Sequence, residues 1–160
     1  MSEGTMTSME MRLAALLDIE DIRQLRLRYS QSLDSGDIDG LDRVFAVDAL
    51  VEVTIGAMQG IDTIKAGLAE AYRQFDRDGR NHYPFLHVIA NHQVALTGPD
   101  TAEGSCYLVD FETASKLDPN PLLLLGLYHD RYRRIDGAWR ISETRLDVIW
   151  PSADPSEDTA

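Results

Sequence analysis

Four long runs of alternating apolar and polar residues fill the second half of the chain, at 81–96, 101–113, 122–135 and 138–150. Alternation with period two marks a half-buried strand. The joints between the first two and the last two runs, Thr97-Gly98-Pro99-Asp100 and Asp136-Gly137, carry strong turn chemistry. Strands that follow one another through hairpins pair antiparallel, so this half must form one mostly antiparallel sheet with an apolar face to cover.

The cover comes from the first half. Asp18 is placed as an N-cap with Asp21 in the capping-box position, and Ile22, Leu25, Tyr29 and Leu33 recur at helical spacing up to Ser35-Gly36. Leu13 to Leu17 reads as a separate short helix packing as a lid or arm. Asp37 caps another short helix through Leu41, Val44 and Phe45, and 49–55 is the first strand, followed by a stub at Met58-Gln59. A helix through Ile64, Leu68, Ala71, Tyr72 and Phe75 ends at Arg77-Asp78-Gly79-Arg80.

The class is therefore α+β: a curved six-stranded sheet wrapped around three to four helices, an open cone with an internal cavity. One domain of 160 residues is expected, with an ordered core at about 12–150 and flexible ends at 1–10 and 152–160.

Charge narrows the partners. With 27 acidic against 15 basic residues and a net charge of −12, the chain lacks the basic footprint of a binder of nucleic acid or anionic membrane. The single cysteine, Cys106, excludes an internal disulfide and reads as a small buried hydrophobe. No run approaches the ~20 apolar residues of a membrane span. The N-terminus lacks the basic-then-apolar order of a signal peptide, so a cytoplasmic protein is expected.

Three of the four histidines lie between 81 and 96. Strict alternation places His87, Ile89 and Asn91 on one strand face and His92 on the other, facing outward or into an interface; a bulge near Asn91 would reverse that. His82 could line a cavity mouth, and His129 alternates onto an exposed or oligomer face. An inward His87 is either a satisfied core residue or a general base. Asp34, at the rim of the helix's apolar stripe, is either a solvated acid or a partner for that base. No zinc-ligand spacing, phosphate loop or nucleophile elbow occurs. Leu122 to Leu125 is apolar on both faces, which suggests that the outer side of the sheet is covered too.

Several stretches carry a resemblance when taken together: Arg28-Tyr29 to Asp37, Leu41 to Phe45 with Asp48, His87 to His92, Gly126 to Tyr132, and Gly137 to Ile141. In order and spacing the chain resembles the cone-shaped superfamily of nuclear transport factor 2 and the polyketide cyclase SnoaL, over residues 14–150. It is most similar to the branch of scytalone dehydratase and hexachlorocyclohexane dehydrochlorinase.

That resemblance implies a lyase without cofactor, in which an Asp–His pair abstracts a proton from a small, largely apolar cyclic substrate. Asp34 and His87 match the pair, Tyr29 matches a polar pocket position, and Arg145 falls near a pocket arginine. Tyr107, Phe111 and Tyr128 complete the candidate substrate contacts, with Tyr107 standing in for a strand-4 histidine of scytalone dehydratase. A homo-oligomer is expected, a trimer favoured and a dimer possible. The same superfamily leaves open an isomerase of the ketosteroid type and a non-catalytic subunit like those of ring-hydroxylating dioxygenases.

Overall fold

A computed structural model describes residues 7–75, 84–113 and 119–151. Helix α1 runs from Ser8 to Ser35 without interruption. Thr7 caps it, accepting from the Glu10 N–H at 3.3 Å while its own N–H donates to Glu10 Oε2 at 2.6 Å. The break expected at Asp18 does not occur. No glycine or proline interrupts this stretch, and the Asp18 carboxylate works across the fold, accepting from Trp139 Nε1 at 3.1 Å and from Arg134 at 2.7 Å. Gly36, at φ 73°, ends the helix.

A 3-10 turn, Asp39–Arg43, follows, and Phe45 opens strand β1 (Phe45–Val53) instead of closing a helix. Strand β2 (Gly56–Gln59) and helix α2 (Ile61–Phe75) come next. The described residues thus hold two α-helices and one 3-10 turn, in place of the three to four helices expected. Arg77 to Arg80, His82 and the expected flexible C-terminus lie outside the described residues.

The four long strands are β3 (Phe85–Gly98), β4 (Thr101–Glu112), β5 (Leu122–Ile135) and β6 (Ala138–Trp150). They form one open sheet in the order β2-β1-β6-β5-β4-β3, in which only the β1–β6 pair is parallel. Asp136 at φ 50° and Gly137 at φ 79° make the expected hairpin turn. The core lies between the sheet's inner face and the helices, where Ile22, Leu25, Leu33, Ile64, Leu108 and Ile141 are buried.

Two bulges set which side chains enter this space. In β3, Ala90 pairs with Tyr107 but Gln93 with Ser105, so one extra residue is inserted, and Asn91 takes φ 52°. Inward positions are 85, 87 and 89 before the bulge and 92, 94 and 96 after it. A Cβ at Gly104, opposite the bulge, would stand 2.7 Å from the Gln93 carbonyl, so only glycine fits there. In β6, Tyr132 pairs with Ile141 but Arg131 with Glu143, leaving Ser142 as the extra residue. Trp139 and Ile141 point in, and beyond the bulge Thr144 and Leu146 do.

Candidate active site

Asp34 sits in the last turn of α1, where the helix dipole disfavours a negative charge. Strand β3 supplies compensating donors. The His87 backbone N–H reaches both carboxylate oxygens, at 3.1 and 3.2 Å, and His87 Nδ1 lies 2.6 Å from Asp34 Oδ1. A carboxylate can only accept, so the ring proton belongs on Nδ1. That leaves the lone pair on Nε2, and the His87 side chain is only 10% exposed.

Nε2 faces Asp110 of β4, whose Oδ1 is 3.9 Å away. That oxygen is buried and has no hydrogen-bond partner among the described residues. Burial above all, with Asp34 adding repulsion, pushes the Asp110 carboxyl up to about 6, against the pull of His87 and of the Phe111 N–H.

His87 and Asp110 share the wall of an apolar cleft of about 100 Å³. Leu68, Tyr72 and Phe75 of α2 and Phe85, Leu108 and Leu124 of the sheet line it as well. Tyr29 and Tyr128 form its inner end, their rings edge to face at 6.1 Å. Burial pushes both hydroxyls above the ordinary phenol range.

Behind the tyrosines lies a buried charge network. The Arg26 guanidinium stacks 4.8 Å from the Tyr29 ring centre and 4.1 Å from that of Tyr128. It donates to Asp130 through Nη2 and, at 3.1 Å, through Nε. Asp130 also accepts from Tyr132 at 2.7 Å and from Thr144 at 2.5 Å. His92 joins through Tyr132 at 3.1 Å, and burial holds its pKa down at about 4.

Of the residues singled out in the sequence, His87, Tyr29 and Tyr128 line one cleft, and Asp34 is joined to it through its bond to His87. Others do not reach it. Tyr107 is 46% exposed on the outer face of β4, because the inward residues of that strand are Cys106, Leu108, Asp110 and Glu112. Phe111 shares the outer face, in register with Leu86 and Leu122. Arg145 is turned out by the Ser142 bulge and pairs with Asp147 at 3.0 Å. The Asn91 bulge turns His92 inward, the reverse of strict alternation. His129 is on the outer side, 3.1 Å from Asp147.

Sequence reasoning missed Asp110 and the Arg26–Asp130 pair. The face of strand 4 bearing Tyr107, Val109 and Phe111 is the more apolar one, which concealed that the other face is inside. The ligating atoms of His92, Cys106 and Asp130 lie within 4.8 Å of one another. They do not suit a metal ion, because Arg26 already supplies the cation at Asp130 and burial pushes the Cys106 thiol up to about 12.

The model of the SnoaL-like domain family matches residues 14–145. An uncharacterized protein of Mycobacterium tuberculosis (strain ATCC 25618 / H37Rv) is 31% identical over 130 residues, covering 80% of this chain and 83% of that protein. Among solved structures, an NTF2-like protein with a cystatin-like fold from Novosphingobium aromaticivorans superposes with TM-score 0.77 at 25% identity, covering 95% of each chain. A candidate scytalone dehydratase from the same organism superposes with TM-score 0.70 at 22% identity over 84% of this chain and 85% of that one, a likeness of fold.

Proposed function

The chain belongs to the SnoaL-like family, and from that premise we propose that it is a cofactor-free lyase acting on a small cyclic substrate in the cleft. His87 Nε2 takes a proton from a carbon next to an activating carbonyl. Asp34 holds the ring in the tautomer that leaves Nε2 free and stabilises the imidazolium that forms. Tyr29 and Tyr128 present hydroxyls that polarise the substrate oxygen, so charge developing there is met by placed dipoles. The electron pair left on carbon expels the leaving group and closes a double bond.

The observation that carries this reading is the 2.6 Å contact between His87 Nδ1 and Asp34 inside an apolar cleft. A proton-abstracting enzyme requires that Asp34 and His87 meet, whereas a non-catalytic subunit makes no such demand. The cleft's size favours a single ring, since about 100 Å³ is small beside the ~300 Å³ at which drug-sized sites begin. The activity belongs in the cytoplasm in this reading. The exposed apolar residues Leu86, Val88 and Tyr107 on the outer sheet face support a homo-oligomer built sheet against sheet.

The test is turnover of cyclic β-hydroxy ketones by wild type and His87→Ala. An enone product formed by wild type alone supports the lyase. A double-bond isomer without loss of a group would assign an isomerase that uses the same base. Equal turnover by both proteins removes His87 as the base.

A further inference from the structure

We propose that Asp110 is the acid partner of His87, protonating the leaving oxygen from the same wall on which His87 withdraws the carbon-bound proton. The elimination is then syn, and the group lost is water rather than halide. This rests on the lyase reading above and adds to it the class of substrate, a β-hydroxy carbonyl compound.

Nε2 of His87 and Oδ1 of Asp110 stand 3.9 Å apart, too far to hydrogen bond to each other and close enough for both to address one substrate. Two groups so placed reach the same face of a ring, whereas an anti elimination needs them on opposite faces. Oδ1 is buried with no partner among the described residues, a costly arrangement unless something enters the cleft to meet it. Across the cleft α2 offers Leu68, Ala71, Tyr72 and Phe75, and among the described lining residues Asp110 is the only carboxyl.

The charge environment agrees. The groups that face Asp110 are Asp34 and Tyr29 from α1, His87 from β3, Glu112 on its own strand and Tyr128 from β5. Burial above all, with repulsion from Asp34 and Glu112 against the pull of His87, places the carboxyl at about 6, where the acid form is accessible near neutral pH. Burial makes Tyr29 and Tyr128 weaker acids than a free phenol, so they polarise but do not protonate. A halide leaves without a proton, so its loss makes no use of Asp110. A hydroxyl needs the proton, because hydroxide is a poor leaving group.

The step balances. The C–H bond breaks and its proton goes to Nε2, while the electron pair becomes the C=C bond. The C–O bond breaks, and its oxygen takes the Asp110 proton and departs as water. The enzyme is left with an imidazolium beside a carboxylate, and one proton passed from Nε2 to Oδ1 through the product water restores both.

Two experiments test this. Without substrate, NMR of protein labelled with ¹³C at the aspartate carboxyls should show one group titrating near 6 that is missing in Asp110→Asn; an Asp110 ionised throughout pH 4–8 would overturn the proposal. With substrate, the probes are 3-hydroxycyclohexanone, deuterated at C2 either cis or trans to the hydroxyl, and 3-chlorocyclohexanone. Wild type should remove the cis deuterium. Asp110→Asn should lose dehydration by about 100-fold or more while chloride elimination changes little, and His87→Ala should lose both. Removal of the trans deuterium, or dehydration retained in Asp110→Asn, overturns the role of Asp110 and leaves the base in place. Wild type inactive on both compounds sinks the lyase reading and this inference with it.

Discussion

Replacing Asp130 with alanine should destabilise the protein more than most single substitutions, and the loss should be partly reversed by also replacing Arg26. Arg26 and Asp130 are both fully buried at the side chain, and Nη1 of Arg26 already lacks a partner among the described residues. Asp130→Ala would leave a guanidinium with no counter-charge and strip Tyr132 and Thr144 of their acceptor. Removing one member of a buried pair costs about 3–5 kcal/mol. Against a total stability of about 5–15 kcal/mol this is a large fraction. At about 2–4 °C per kcal/mol for a chain of this size, Tm should fall by roughly 6–20 °C.

Arg26→Met with Asp130→Ala removes the stranded charge, so the double variant should be more stable than Asp130→Ala alone. The assay is urea unfolding of the four proteins, followed by far-ultraviolet circular dichroism. A pair whose effects add to within about 0.5 kcal/mol would refute the reasoning, because it would mean the two groups do not depend on each other. The network bears on the site, since Arg26 stacks on the two tyrosines at the inner end of the cleft.

Further outcomes can be checked in the same way. Asp110 has a folded pKa raised from 3.8 to about 6, so its contribution to stability is present below about 4 and falls as pH rises to about 6, by about 3 kcal/mol. His92 runs the other way: lowered from 6.5 to about 4, it costs stability as pH falls through that window. The two oppose in wild type, so Asp110→Asn should show a steeper loss on acidification from pH 6.5 to 4, and His92→Phe should flatten it, as read from thermal melts across pH. Asn91→Gly should be tolerated, while Asn91→Val should cost about 1–2 kcal/mol in urea unfolding, because the bulge holds φ at 52°. Arg145→Ala should leave turnover of any substrate within about twofold, since the side chain is on the outer face.

Much of the frame was legible. Long alternating runs joined by Gly-Pro-Asp and Asp-Gly turns dictate consecutive hairpins, and these strands stand where the pattern places them. The meeting of Asp34 with His87 was legible through the resemblance and through the alternation around His87, upstream of the bulge. What alternation cannot carry is a change of phase. One residue inserted at Asn91 brought His92 into the core, and one at Ser142 turned Arg145 away. In β4 the higher apolar content of the Tyr107 and Phe111 face pointed to the wrong side as inner: the face with Cys106, Leu108 and Asp110 is buried, and its acid is held among hydrophobic neighbours. The single long α1 escaped because Asp18, a sound N-cap by local chemistry, is engaged instead by Trp139 and Arg134, more than a hundred residues away in sequence.

The central claim is that His87, oriented by Asp34, removes a proton from carbon. It can be tested apart from any leaving group by following deuterium uptake next to the carbonyl of cyclohexanone in D₂O. Wild type should accelerate the exchange, and His87→Gln and Asp34→Asn should each slow it by about 100-fold or more. Exchange at the same rate in all three proteins would contradict the account.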